Sequence, residues 1–168
     1  DKLAVDNSLR LELVVPASKL SLRDLPLSDS ERKVYRQTVP YSLEDSLLED
    51  TDELHFAYQL ANDGQLGVAI INKNELADLL NQVVLPERYK LEAAIPEQLL
   101  LPWAAGQYCW LYENGILTGR SGQRTGFVAD VESADFIAQS LGDVLPDQIS
   151  VLCKPGDTIP QSMLQAFG

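Results

Sequence analysis

The chain is poor in the residue types that most often carry chemistry. Its 168 residues include two cysteines, one histidine and one methionine. Because His55 stands alone, no second histidine is present to activate a serine or cysteine nucleophile, and we expect a structural role for it. Cys109 and Cys153 lie far apart, without metal-type spacing, and their apolar neighbours predict two buried free thiols. The sequence therefore indicates neither a cysteine metal site nor a disulfide framework.

Positive charge is also scarce. The chain has 13 lysines and arginines against 25 acids, a net charge of −12. Phosphates of nucleic acids would be repelled, so the composition argues against a nucleic-acid partner. It also argues against adhesion to anionic lipid through a basic patch. A basic protein partner is compatible with this charge.

Long apolar runs are absent as well. No segment is apolar for the length that a bilayer requires, and no signal peptide is present. From these absences we expect a soluble piece. The chain begins at Asp1 without methionine, so we expect a fragment, whose full-length protein meets a membrane only through a segment absent here. A length of 168 residues predicts one ordinary domain or two small ones sharing a core.

The first half of the chain predicts a unit ordered strand, helix, strand, strand, helix over residues 20–85. Ser28 and Glu31 form a capping-box pattern for a helix that runs from about Asp29 toward Glu49, kinked or split by Pro40. A second helix follows Asn72 and ends at Pro86, with a predicted buried stripe of Leu76, Leu79, Leu80, Val83 and Val84. Strands are predicted at residues 9–15, 20–23 (ending before Pro26), 54–60 and 66–71, the last two joined by a turn at 62–64.

The second half predicts a strand, a short turn, a hairpin, a strand, a helix and a final strand. Asn114-Gly115 suits a type I′ turn between hairpin strands. Asp130 is the predicted cap of a helix carrying Ala134, Ala138 and Leu141. The strands are predicted at 89–95, 107–112, 116–120, 125–129 and 149–153, with helical turns at 96–101 and after Pro160.

A run of glycines raises the question of a nucleotide site. Gly115, Gly119, Gly122 and Gly126 recur, but no lysine followed by serine or threonine opens a helix there, as a phosphate loop requires. Hairpin turns are the favoured interpretation, with Arg120 and Arg124 as weak candidates for binding an anion.

Six acids within positions 44–53 form the most unusual stretch. Glu49, Asp50, Asp52 and Glu53 lack EF-hand spacing and its turn glycine, so a dedicated metal cage is not expected. No apolar pocket is evident that would separate the pKa values of a catalytic pair. The sequence therefore predicts no cofactor, metal or catalytic residue.

Helical geometry instead favours a docking surface at this stretch. In a helix, Val39, Leu43 and Leu47 share the core side, whereas Asp45, Glu49 and Asp52 lie on another, with Tyr41 and Leu48 near the acids. An apolar centre ringed by acids is typical of an interface. The alternative, an ordinary solvated helix face with one incidental leucine, is equally compatible with the pattern alone.

Two linked segments resemble a known family. Residues 39–45 (Val-Pro-Tyr-Ser-Leu-Glu-Asp) and 50–56 (Asp-Thr-Asp-Glu-Leu-His-Phe) are similar to the signature of the type II secretion system protein L (GspL) family, in its cytoplasmic domain. Residues 13–16, 25–27 and 95–102 fit the same pattern, so the resemblance covers most of residues 9–141.

The resemblance implies a mixed α/β fold, a degenerate actin-like ATPase or RNase H-like fold with a strand-helix-strand-strand (SHS2-like) subdomain. It divides the chain into part of a first RNase H-like subdomain (1–27), the SHS2-like subdomain (28–88) and a partial second RNase H-like subdomain (89–168). The family has further strands before the position of Leu9. The second phosphate-type loop would fall on residues 109–115, where no Asp-x-Gly remains.

The resemblance also implies a function. The expected role is a non-enzymatic scaffold at the cytoplasmic face of the bacterial inner membrane, in a full-length protein that crosses it once. Its partners would be the N-terminal domain of the secretion ATPase (GspE-type) and the GspF- and GspM-type platform proteins, and a homodimer is left open. The expected partner-binding residues are Tyr41, Glu44, Asp45, Leu48, Glu49 and Asp52. The alternatives are a soluble actin-like pilus-assembly (PilM-like) adaptor and a nucleotide-binding enzyme.

Overall fold

A computed structural model describes residues 9–86, 88–133, 136–137 and 146–161. These residues form nine strands and two α-helices, which confirms the predicted mixed α/β fold. The strands are β1 (Leu9–Val15), β2 (Leu20–Pro26), β3 (Leu54–Leu60), β4 (Gln65–Asn72), β5 (Tyr89–Pro96), β6 (Gln107–Glu113), β7 (Ile116–Arg120), β8 (Gly126–Asp130) and β9 (Gln148–Cys153). The helices are α1 (Tyr35–Leu43) and α2 (Lys73–Gln82).

The first unit is an antiparallel sheet of order β2-β4-β3, covered on one face by α1. Leu66, Val68 and Ile70 alternate along the central strand β4 and are buried against Val39 and Leu43 of α1. Burying each such side chain contributes about 1.5–3 kcal/mol, so this face is the core of the unit. The element order predicted for residues 20–85 is confirmed.

The strand β2 belongs to this first sheet through its pairing with β4. Strand β2 therefore lies in the same sheet as β3. In sequence, however, β2 precedes residue 28, where the SHS2-like subdomain is predicted to begin. The last residue of β2 is Pro26, which the sequence pattern had placed after the strand. An edge strand tolerates proline because the missing amide hydrogen is not needed on the outer side. The division into subdomains stays a prediction.

The second unit is a sheet of order β8-β7-β6-β9, and β1 and β5 form a separate parallel pair. Trp110 and Leu117, on adjacent strands, are fully buried. The Trp110 and Phe127 rings meet edge-on with centroids 5.7 Å apart. Asn114 (φ 51°) and Gly115 (φ 83°) both adopt positive φ between β6 and β7, which confirms the predicted type I′ turn.

The first predicted helix is shorter than its sequence pattern indicates. A 3₁₀ turn (Glu31–Lys33) precedes α1, which contains Pro40 and ends at Leu43, so the prediction of a helix reaching Glu49 is wrong. The Ser42 hydroxyl donates to Val39 O (3.0 Å) and the Ser46 hydroxyl to Leu43 O (2.8 Å). A longer helix would pair Leu43 O with the Leu47 amide, which here donates to Glu44 O instead. The Ser46 hydroxyl takes the place of that amide, so the helix can end at Leu43.

The capping interactions agree with the sequence pattern. Ser28 N donates to the Glu31 carboxylate (2.8 Å) and Glu31 N to Ser28 Oγ (3.4 Å), the reciprocal pair of a capping box. The pair lowers the pKa of Glu31, because both the Ser28 hydroxyl and its amide donate to the carboxylate. Asn72 caps α2 by accepting from Asn74 N (2.8 Å), as predicted.

The buried stripe predicted for α2 is wrong. No residue of α2 is buried, Leu80 is exposed, and Val83 and Val84 lie beyond the helix end at Gln82. An apolar stripe on a helix is buried only where another element covers it. The spacing of apolar residues in the sequence does not show which element lies against the helix. Within the described part of the chain, neither helix approaches the length and apolarity that a membrane span demands.

Two predicted helices fall on residues beyond this description. The helix after Asp130 would include Ala134, Ala138 and Leu141, which lie outside the described residues. Its described part comprises a 3₁₀ turn at Val131–Ser133 and two helical residues, Phe136 and Ile137. The predicted tail helix lies outside them beyond Gln161.

Candidate functional site

The acidic stretch folds as a tethered loop, here called the acidic loop (residues 44–53). It begins with a 3₁₀ turn (Glu44–Ser46), passes through extended residues and ends in a second 3₁₀ turn (Thr51–Glu53) that leads into β3. Asp50 caps the second turn by accepting from Asp52 N at 2.9 Å. The predicted helical arrangement of residues 47–52 is therefore wrong, because none of them lies in an α-helix.

The start of α2 holds the acidic loop in place. The Asn72 side chain donates to the Glu49 carboxylate (2.5 Å), and Lys73 Nζ donates to the backbone oxygen of Asp52 (2.7 Å). Leu47 packs against the core of the first unit. A loop ordered before binding loses less conformational entropy when a partner arrives.

All six predicted partner-binding residues are on the surface. Leu48 is fully exposed and the Tyr41 side chain is 73% exposed, whereas large apolar side chains are usually more covered. Among the described residues, the carboxylates of Glu44, Asp45 and Asp52 form no ion pair. The solvated-helix alternative no longer applies in its original form, since Leu48 projects from an extended segment.

Two open grooves flank the acidic loop and divide the predicted residues between them. The α1–β3 groove, about 440 Å³, contains Tyr41 and Asp52. The β2–α2 groove, about 690 Å³, contains Leu48 and Glu49. The buried side chain of Leu54 contributes to both. The acidic loop therefore separates two grooves, each lined by both polar and apolar side chains.

The α1–β3 groove has an aromatic wall that the sequence analysis missed. Tyr35 and Tyr58 meet edge-on (5.3 Å between centroids), and Phe56 stacks beside Tyr58 (6.4 Å). The exposed Arg36 guanidinium lies over both tyrosine rings, 5.6 and 5.7 Å from their centroids. Burial raises the pKa of Tyr58, and the charge of Arg36 partly opposes that rise. The alternation of Phe56 and Tyr58 in a strand was the available signal.

The β2–α2 groove carries charges of both signs. Ser21 and Arg23 of β2 lie opposite Ile70 and Val68 of β4, on the core face of the sheet but outside the cover of α1. Lys19 pairs with Glu75 across the groove at 2.7 Å. In the sequence, Ser21 and Arg23 are the polar positions of an alternating strand, so only the pairing with β4 identifies this corner as open.

The glycines and arginines considered for anion binding have structural roles. Gly115 and Gly122 lie in connections, but Gly119 and Gly126 lie within strands, so the turn interpretation holds for only part of the run. Arg120 donates to the carbonyls of Leu99 (2.6 Å) and Leu101 (2.7 Å). Its guanidinium is thereby engaged by backbone oxygens, which corrects the weak assignment to an anion.

Arg124 links the two units. Only 6% exposed, it bonds Asp24 of β2 (3.0 Å) and Asp63 of the β3–β4 turn (2.8 Å). Its side chain lies on Gly67, where an added Cβ would stand 2.8 Å from Arg124 Cδ. Arg124 therefore connects the two sheets through ion pairs and is not a free cation available to an anion.

The remaining sequence candidates are distributed over the surface and core. His55 is exposed on β3. Cys109 is buried as predicted, whereas Cys153 is exposed, so that half of the thiol prediction is wrong because Cys153 ends strand β9. Among the residues that the structure describes, no group of three histidine, cysteine or acidic side chains is placed to hold a metal ion.

Comparison with known proteins yields one consistent result. The family model described as "Type II secretion system (T2SS), protein L" matches residues 2–154. Curated proteins named type II secretion system protein L are 28% identical over 113 residues in Dickeya chrysanthemi and 29% over 107 residues in Pectobacterium carotovorum subsp. carotovorum. These matches cover 62% and 60% of this chain but only 28% and 25% of those proteins.

A solved structure shares the fold. The cytoplasmic domain of EpsL, an inner-membrane component of the type II secretion system of Vibrio cholerae, superposes with a TM-score of 0.65 at 18% identity. The superposition covers 94% of this chain and 73% of that domain. The arrangement of sheets and helices is thus that of this cytoplasmic domain.

Proposed function

Because the chain belongs to the type II secretion system protein L family, we propose that it is a scaffold that recruits the secretion ATPase by binding that enzyme's N-terminal domain. The acidic loop and the exposed side chains beside it form the contact surface. The mechanism is binding and positioning, without a chemical step on this chain. In the full-length protein this domain lies at the cytoplasmic face of the inner membrane, next to the GspF- and GspM-type platform proteins.

The observation that carries the proposal is the fully exposed Leu48 on a loop where Glu44, Asp45 and Asp52 form no ion pair with any described residue. An apolar side chain loses free energy when it leaves water, and Leu48 is available for that. Glu44, Asp45 and Asp52 surround it in sequence and have no cation of their own among the described residues. The loop is tethered at Glu49 and Asp52, so the surface exists before the partner binds.

The charges act mainly on the rate and orientation of association. A net charge of −12 creates a field that attracts a basic surface from a distance. Charges at an interface rim accelerate association at low ionic strength. Salt weakens this effect, because it screens the attraction between charges that lie more than about 10 Å apart. The binding surface of the partner should therefore be basic around an apolar recess that accepts Leu48.

The test is charge reversal with a matched control. The variant Glu44→Lys, Asp45→Lys, Glu49→Lys, Asp52→Lys should lose roughly tenfold or more of its affinity for the ATPase N-terminal domain in low salt. The control Glu12→Lys, Asp78→Lys, Glu132→Lys, Asp157→Lys changes two Glu and two Asp at exposed positions elsewhere. It has the same net charge as the loop variant but leaves the acidic loop unchanged, so its affinity should stay close to that of the unaltered chain.

Titration calorimetry measures the affinity of both variants for the ATPase N-terminal domain. The comparison separates the effect of the acidic loop from the effect of net charge. Equal losses in the two variants would show that only net charge matters and would remove the acidic loop as the site. Unchanged affinity of the loop variant would have the same consequence. The variant Leu48→Ala separates the apolar contribution, because it leaves all charges in place.

A further inference from the structure

The edge of β3 is unusually unprotected. β3 pairs with β4 on one side, and no other described strand pairs with it on the other. Its seven residues, Leu-His-Phe-Ala-Tyr-Gln-Leu, contain no proline, lysine, arginine or carboxylate. Natural proteins usually protect such an edge with charge, proline or a covering element, because it is a template for pairing with another chain.

The register shows which amides of β3 are free to pair. The bond from Ala61 N to Gln65 O (3.0 Å) closes the β3–β4 hairpin. Donation alternates along an antiparallel ladder, so the amides of Gln59 and Ala57 point to β4. Those of Phe56, Tyr58 and Leu60 therefore point away from the sheet.

The α1–β3 groove runs beside this edge. Pro40 and Tyr41 of α1 form one wall, and Leu54, Phe56 and Tyr58 of β3 form the other. An extended chain lying along β3 would place every second side chain into the groove. Main-chain hydrogen bonds to the edge and side-chain burial in the groove would then act together, as in strand addition to a sheet edge.

The charges around the edge define its occupant. Asp52 lies at the Leu54 end of the groove, next to the other acids of the loop. Arg36 lies further along, over the ring of Tyr58. A second copy of this chain brings another net charge of −12 and is disfavoured by repulsion.

Resting on the function proposed above, we infer that the β3 edge accepts an extended segment of the basic partner as an added strand. The segment has alternating apolar side chains and carries a lysine or arginine at the end beside Asp52. The acidic loop attracts the segment, and the edge and the α1–β3 groove bind it.

The primary measurement is amide hydrogen exchange of the chain with the ATPase N-terminal domain. Binding should slow exchange at Phe56, Tyr58 and Leu60 by roughly tenfold or more, because these amides gain acceptors. Ala57 and Gln59 should change little, since they already donate to β4. If the domain binds and the outward amides exchange as in the free chain, strand addition is overturned while the scaffold function stands.

A synthetic peptide tests the edge independently of the ATPase. The probe is acetyl-Lys-Arg-Val-Thr-Val-Thr-Val-Thr-amide, and its control is the same peptide with an N-methyl group on every valine and threonine amide, which blocks both edges. The first should slow the outward amides, whereas the second should not, because it cannot complete the ladder. If the ATPase domain fails to bind but the peptide adds to the edge, the scaffold proposal falls and the strand-addition site remains.

Two further results would decide against the proposed occupant. The variant Asp52→Lys should bind the peptide more weakly than the unaltered chain, whereas Asp78→Lys should bind it equally well. Equal affinities of the two variants would show that the charge of Asp52 is not required. Slowing of the outward amides with rising concentration of the chain alone, with a doubled mass, would show that a second copy occupies the edge.

Discussion

At the scale of single residues, the two thiols differ in environment. Cys109 is buried on β6, and burial raises the pKa of its thiol, with the charge of Arg120 partly opposing the rise. Cys153 is exposed at the end of β9. Thiolate is the reactive form, so a buried thiol with a raised pKa reacts slowly for two reasons.

Alkylation should therefore be selective. With iodoacetamide at neutral pH we expect Cys153 to be modified at least roughly tenfold faster than Cys109. Mass spectrometry of the intact chain and its peptides measures both rates, and Cys153→Ser isolates the slow reaction. Equal rates in the folded chain would show that Cys109 is accessible, which contradicts its burial.

Gly119 shows a second kind of residue effect, a close approach between strands. A Cβ at this position would stand 2.3 Å from the ring of Phe127 on the neighbouring strand β8. Gly119→Ala should lower the free energy of unfolding by about 1–3 kcal/mol, because the ring must move in a packed core. Urea denaturation measures this change.

The ring itself provides the control for Gly119. In a double-mutant cycle with Phe127→Leu, the smaller side chain should recover part of the loss caused by Gly119→Ala. Strict additivity of the two changes would show that the strain lies elsewhere.

At the scale of elements, the exposed apolar side of α2 contrasts with the core of the first unit. Leu80→Ala should cost less than about 1 kcal/mol, since the side chain is already 40% exposed. Leu66→Ala, the same chemical change at a fully buried site, should cost about 2–5 kcal/mol. Thermal or urea unfolding distinguishes the two, and similar losses would mean that α2 is covered in solution.

The same elements show what sequence can predict. The Asn72 cap, the Ser28–Glu31 pair and the Asn114-Gly115 turn each depend on residues within a few positions, and all three are present. The extent of α1 was wrong because the Ser46 hydroxyl donates to the Leu43 carbonyl, to which the Leu47 amide would donate in a longer helix. The α2 stripe was wrong because burial depends on a distant element.

The surface around the acidic loop was predicted only in part. Tyr41 and Leu48 are exposed as the docking interpretation requires, but they lie in different grooves rather than on one helix face. The aromatic wall under Arg36 joins α1 to β3, and such a contact between elements leaves little local signal. Likewise, β1 pairs with a strand about 80 residues away that no local pattern identifies.

At the scale of the whole molecule, the described residues include two hydrophobic core clusters, one in each unit. The first cluster comprises Val39, Leu43, Leu54, Leu66, Val68 and Ile70, and the second Trp110, Leu117 and Ile137. Arg124 bridges them through Asp24 and Asp63. The guanidinium also lowers the pKa of Asp63 by donating to its carboxylate, with a further bond from Gln65 N.

The sign of this pKa shift gives a pH dependence. A carboxyl group whose pKa is lowered on folding stabilises the fold above its unfolded pKa and loses that effect as the pH falls through the folded value. The contribution of Asp63 should therefore vanish in acid below the ordinary aspartate range. In Arg124→Ala most of this acid-dependent contribution should be absent already, which a series of urea curves between neutral and acidic pH measures.

Removing the Arg124 side chain should also uncouple the two units, so that they unfold separately. Both tryptophans, Trp103 and Trp110, lie in the second half of the chain, so fluorescence reports that unit, whereas far-UV circular dichroism reports both. In the unaltered chain the two denaturation curves should coincide.

Arg124→Ala leaves Asp24 without its partner, so the first unit should lose about 1.5–3 kcal/mol and unfold before the fluorescence changes. The control Arg10→Ala removes the exposed Arg10–Glu92 pair, worth less than about 1 kcal/mol, and should keep the curves together. Coincident curves in Arg124→Ala would show that apolar packing alone couples the units.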